Sequence, residues 1–117
     1  MKIFSLNIRG LGLVPKKKSL RRILAITSTM VLLLEDTMTE GKKDQEVVKE
    51  YMKDWGMTSN DADGNSRGTL TTWSSALNLI SVKRFEIVVG TELEDNEIAK
   101  RFMILNVYVP FYDRKTF

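Results

Sequence analysis

The run Met30-Val31-Leu32-Leu33-Leu34 is apolar at every position and stops abruptly at Glu35-Asp36-Thr37. A strand with one wet face alternates apolar and polar residues, so an unbroken run of this length is a strand covered on both faces. Such strands belong to layered α/β folds, which place their chemistry outside the carboxyl ends of the strands. The flanking segments agree. Within Ser19–Ile26, Leu20, Ile23, Leu24 and Ile26 recur at helical spacing while Arg21 and Arg22 face outward. Within Asp44–Trp55, Val47, Val48, Tyr51, Met52 and Trp55 form one stripe, Asp44 and Glu46 sit in the first turn, and Gly56 follows as a helix cap. Lys2–Ile8, with Ile3, Phe4, Leu6 and Ile8, reads as an opening strand that is mostly buried.

Beyond the second helix, residues 58–68 (TSNDADGNSRG) read as a polar loop. Strand-like runs then follow at Thr69–Trp73, Leu77–Val82, Phe85–Thr91 and Arg101–Val109, with Glu92–Glu97 as an acidic turn. Strand, helix, strand, helix and several neighbouring strands make a mixed α/β layer within one domain spanning residues 1–117, and exclude a bundle or a closed barrel. A chain of 117 residues can bury roughly two-thirds of its extended surface, enough for a core.

Composition narrows the chemistry. Neither cysteine nor histidine occurs. Disulfides, thiolate metal sites, histidine bases and His-ligated zinc are therefore excluded within these residues. Chemistry must come from carboxylates, amides, hydroxyls, lysine and arginine. The net charge of +3 is mild, but residues 1–22 carry Lys2, Arg9, Lys16, Lys17, Lys18, Arg21 and Arg22 and no acid. That segment is a positive patch, either a solvated helix start or a surface for phosphates. Ile23–Leu34 is shorter than the roughly 18 residues a membrane helix needs and contains hydroxyl residues, so it reads as buried core of a soluble, intracellular protein.

Two motif readings fail. Arg9-Gly10-Leu11-Gly12 lacks the third glycine of a dinucleotide loop and has Pro15 in its place. Asp61-Ala62-Asp63-Gly64-Asn65 spaces its oxygens like a calcium loop, but Ser66 replaces the turn glycine and Thr72 the bidentate glutamate.

Four strings carry more: Ser5-Leu6-Asn7-Ile8-Arg9-Gly10-Leu11-Gly12, Leu33-Leu34-Glu35-Asp36-Thr37, Ser66-Arg67-Gly68-Thr69-Leu70-Thr71-Thr72-Trp73 and Ile104-Leu105-Asn106-Val107-Tyr108-Val109-Pro110. Their order and spacing resemble the N-terminal half of the endonuclease/exonuclease/phosphatase superfamily, closest to the endonuclease domain of plant LINE-type retrotransposons. That family reads S-W-N-x-R-G-L-G, Q-E-T, S-G-G-L-x-x-x-W and N-V-Y-x-P in this order. This chain departs at Leu6 for tryptophan, Asp36 for glutamate, Arg67 for glycine and Val109 for glycine.

The resemblance implies half of a four-layer α/β/β/α sandwich, one mixed sheet with two helices on one face. It implies magnesium-dependent hydrolysis of DNA phosphodiesters, with Asn7 organising metal and phosphate, Asp36 binding the metal and Tyr108 donating to the phosphate. Glu35 is the alternative metal ligand, and Arg9, Lys16, Lys17 and Lys18 are candidate nucleic-acid contacts. A nuclear location is implied by the family alone. The family's later G-D-x-N and S-D-H strings have no counterpart here, so the chain is expected to be inactive by itself. Its sheet is expected to leave an apolar inner face open, to a complementing C-terminal half or to self-association. The alternatives are a non-catalytic nucleic-acid- or protein-binding module, or a translated retrotransposon remnant.

Overall fold

The computed structural model describes residues 2–7, 14–35, 41–63, 66–85 and 88–107, and the side chains of these except 14–17, 41–44, 61–63 and 66–67. The elements run β1 (Ile3–Asn7), α1 (Val14–Thr27), β2 (Val31–Glu35), α2 (Gly41–Tyr51), β3 (Gly56–Asp63), β4 (Ser66–Trp73), β5 (Leu77–Arg84), β6 (Val88–Asp95) and β7 (Lys100–Val107).

The expected mixed sheet with two helices on one face is present, in the order β1-β2-β4-β3, with β1 and β2 parallel and the other pairs antiparallel. The last three strands do not join it. They form a separate antiparallel sheet, β5-β6-β7, packed on the face away from the helices. Three layers result: helices, mixed sheet, antiparallel sheet.

The apolar run of β2 is explained by this stacking. Leu32 and Leu34 point to the helices and share a core with Leu20, Val47, Val48, Met52 and Leu70. Val31 and Leu33 point to the second sheet, in a core with Trp73, Leu77, Leu93 and Ile104. Alternate residues of a strand face opposite sides, so a strand sandwiched twice must be apolar throughout.

Several boundaries differ from the sequence reading. Helix α1 begins at Val14, because proline is compatible with a first helical turn that has no internal N–H acceptor to supply. It ends with Ser28 in the left-handed region (φ 53) and the Thr27 hydroxyl donating back to Ile23 O at 2.6 Å. Gly56 is not the cap of α2. The left-handed residue is Asp54 (φ 64), and Gly56 opens β3 directly opposite Trp73. The polar stretch 58–68 is not a loop but most of a hairpin, with Asp63 paired to Ser66. Glu92–Asp95 belong to β6, not to a turn.

The expectation of an open inner face is also corrected. The inner faces of the two sheets cover each other, burying Val31, Trp73, Leu93 and Ile104. Apolar surface is left uncovered on the outer side of β7, where Met103, Leu105 and Val107 are exposed beside Gly90, and on β5 at Leu79 and Ile80. The sheets are offset as well. β3 lies against β6 and β4 against β7, and Val31 of β2 is still covered by the second sheet, so β1 is left projecting past it as a ledge. Ile3, Ser5 and Asn7 are exposed along that ledge.

Arg84 ties the layers at the other side, its guanidinium donating to Ser59 O and, at 2.7 Å, to Thr58 Oγ1. Arg84→Ala is expected to cost about 1–2 kcal/mol, within the range of hydrogen bonds from a charged group to a partly exposed partner. A urea titration that leaves the midpoint unchanged would remove this tie from the account.

Candidate active site

The site is built by register. β1 and β2 run parallel with Asn7 beside Glu35, and the antiparallel strands extend the row through Thr69 to Asn60. Leu6, Leu34 and Leu70 pack toward the helices. Their neighbours Asn7, Glu35 and Thr69 therefore share the opposite face, the one turned toward the second sheet. Asn60 shares it too, two residues on from Thr58, which Arg84 of the second sheet reaches. Four oxygen-bearing side chains thus line one end of the mixed sheet, at the carboxyl ends of its two parallel strands. Thr69 is buried, Glu35 and Asn60 half-buried, and Asn7 exposed.

Asn106 of β7 meets this end from the facing sheet. It is 2% exposed, and its Nδ2 donates to Leu70 O at 3.2 Å and Thr71 Oγ1 at 3.1 Å. Among the described buried side-chain atoms, its Oδ1 and Thr91 Oγ1 are the ones left without a partner. Register puts Val89 opposite Asn106 and Thr91 opposite Ile104, so these two orphans lie on the same inner face of the second sheet.

Of the residues singled out from sequence, the structure brings Asn7 and Glu35 together. Asp36, Tyr108 and Arg9 lie outside the described residues. Lys16 and Lys17 fall within α1 without described side chains, and Lys18 is exposed on it. Thr69, Asn60 and Asn106 were missed. The signal for Asn106 was present, since an amide inside the apolar string Ile104-Leu105-Asn106-Val107 must find partners when buried.

No group of three or more acids, histidines or cysteines able to hold a metal ion occurs among the described residues. The donor chemistry still fits a hard cation in part. Magnesium is held by one or two carboxylates with waters, and Glu35 supplies one carboxylate with the Asn7 amide at its side.

A second concave feature lies between the helices. Lys18, Arg21, Arg22 and Ala25 of α1 face Glu50 and Tyr51 of α2 across an open groove of about 510 Å³. Burial and then the Glu50 carboxylate hold the Tyr51 phenol above its ordinary pKa, with Arg21 opposing. No helix among the described residues is long and apolar enough to cross a membrane.

No protein-family model and no curated protein sequence matches this chain. Solved structures do match it. The AP endonuclease LMAP from Leishmania major is 15% identical with a TM-score of 0.62, over 92% of this chain and 39% of that one. The catalytic domain of APE2 from Xenopus laevis is 17% identical with a TM-score of 0.63, over 98% of this chain and 47% of that one. ANGEL2, a 2′,3′-cyclic phosphatase solved with adenosine-2′,3′-vanadate, is 11% identical with a TM-score of 0.64, over 92% of this chain and 40% of that one. The chain thus has part of the endonuclease/exonuclease/phosphatase sandwich fold, and spans less than half the length of each of these three structures.

Proposed function

We propose that this chain is part of a magnesium-dependent phosphodiesterase domain of the endonuclease/exonuclease/phosphatase type, derived from a LINE-type retrotransposon endonuclease and without turnover on its own. The observation that carries this is the parallel pairing of Asn7 with Glu35 at the strand ends, on the face turned toward the second sheet. The fold supports it, because the matched structures include endonucleases and a cyclic phosphatase. The order of the four sequence strings supports the retrotransposon assignment, and DNA is the substrate it suggests.

On this reading Glu35, with Asp36 beside it in sequence, would hold a magnesium ion, and Asn7 would orient the ligand shell. When bound, the ion would offset charge on the phosphoryl oxygens. The chain's own contribution is positioning. Thr69, in the centre of the sheet, stands opposite Glu35 in register, and Asn106 locks β7 to β4 by bonds to Leu70 and Thr71. Strands and helices from the rest of a sandwich would complete the site beside the exposed face of β1.

The test is a thermal melt with and without magnesium, together with nicking of supercoiled plasmid. A ligand held only by the folded state raises stability as RT ln(1 + [L]/Kd), about 2.7 kcal/mol at a hundredfold excess over Kd. The melt is expected to rise with magnesium in the native chain and not in Glu35→Gln, with no nicking by either. A melt indifferent to magnesium in the native chain would overturn the metal assignment. Nicking by the chain alone that disappears in Glu35→Gln would overturn its dependence on a further half.

A further inference from the structure

The groove between α1 and α2 gathers cations that the rest of the fold does not use. Lys18, Arg21 and Arg22 stand at helical spacing i, i+3 and i+4, along about 6 Å of helix axis. All are exposed, and among the described residues none is ion-paired. α1 contains no acid at all. Like charges at this spacing repel each other within a helix, so the arrangement is unfavourable until an anion joins it. The groove also has a far wall, Glu50 and Tyr51 of α2, where the Glu50 carboxylate already engages the Tyr51 phenol.

The chemistry selects the occupant. An open groove with cations spread along its length suits a repeating chain of phosphates better than one compact anion. Guanidinium forks match phosphate oxygens in pairs of hydrogen bonds. A membrane surface is disfavoured, because the apolar stripe of α1 is mostly spent inward: Leu20 is 3% exposed and Leu24 packs on the same core, which leaves Ile26 exposed at the helix end. A helix binding lipid needs that stripe free.

We propose that the α1–α2 groove binds the sugar–phosphate backbone of DNA without reading its sequence, with Arg21 and Arg22 gripping phosphates and Lys18 extending the track. Glu50 opposes the anion and sets a limit on affinity. This site is separate from the Asn7–Glu35 end, and its test does not require cleavage.

The experiment is fluorescence anisotropy of a labelled random-sequence duplex with the full chain across a salt series. Three phosphate contacts give a log–log salt slope of about −2.7, at about −0.9 per contact. Arg21→Ala with Arg22→Ala should reduce the slope to about −0.9 and weaken low-salt binding roughly a hundredfold, the scale of two charge-assisted contacts. Arg21→Lys with Arg22→Lys should keep the slope while losing part of the affinity. Glu50→Gln should tighten binding, and Lys83→Ala, on the second sheet, should leave it unchanged. The variants lie at exposed positions, and a matching far-UV spectrum confirms that each is folded. No duplex binding at low salt, binding indifferent to the double alanine substitution, or binding to phosphatidylserine vesicles in place of duplex would each overturn the proposal.

Discussion

Gly56→Ala is expected to lower the melting temperature by about 5–15 °C, from an overpacking cost of about 1–3 kcal/mol in a domain of this size. A Cβ at this position would stand 2.6 Å from Trp73 Cζ2, with other indole atoms closer still. The ring cannot retreat. Trp73 is 4% exposed and sits in the inter-sheet core with Val31, Leu77, Leu93 and Ile104. The backbone is held too, since Thr72 Oγ1 donates to Gly56 O at 2.7 Å. Glycine is required here for close approach, not for an unusual backbone angle. A double-mutant cycle with Trp73→Leu checks the cause. The smaller side chain should absorb much of the Gly56→Ala penalty, giving a coupling of about 1 kcal/mol or more between residues in contact. Penalties that simply add would place the strain elsewhere.

Asn106→Asp is expected to be the most damaging isosteric change in the chain, at about 3 kcal/mol or more near neutral pH. The native Nδ2 donates to Leu70 O and Thr71 Oγ1. A carboxylate would put a buried charge against the Leu70 carbonyl and lose both donated bonds. Burial would raise the carboxyl's folded pKa above its unfolded value near 3.9. The sign follows: the folded state would bind its proton more tightly, so the variant's stability would be greatest below the unfolded pKa and fall as pH rises through the folded one. Urea titrations of native and variant chains should therefore converge at acid pH and diverge toward neutral pH. A difference independent of pH would mean that the acid is not buried as Asn106 is.

Both effects arise where the two sheets meet, and that meeting was the least legible part of the sequence. The layer order around β2 could be read because Val31–Leu34 must satisfy two apolar neighbours, one on each side. Both helices could be read from their stripes, although the first turns of α1 were hidden by Pro15 and a lysine cluster that local patterning treats as loop. β3 was missed because TSNDAD is polar and its residues have low strand propensity. It pairs at the margin of the sheet, needs one hydrogen-bonded neighbour, and is recruited by β4, not by its own pattern. The division into two sheets depends on which strands pair, and alternation within a strand does not record its partner. The site divides in the same way. Asn7 and Glu35 were found because they end adjacent parallel strands. Thr69, Asn60 and Asn106 reach that end through antiparallel register and sheet stacking, which appear only in three dimensions.

The offset between the sheets has a consequence for association. The segment Phe102–Val107 has no charge and no proline, and among the described residues nothing pairs with the far edge of β7. Such an edge ordinarily invites end-on growth into fibres. The projecting β1 stands beside this edge without pairing with it, and the segment supplies neither charge nor proline to discourage an added strand.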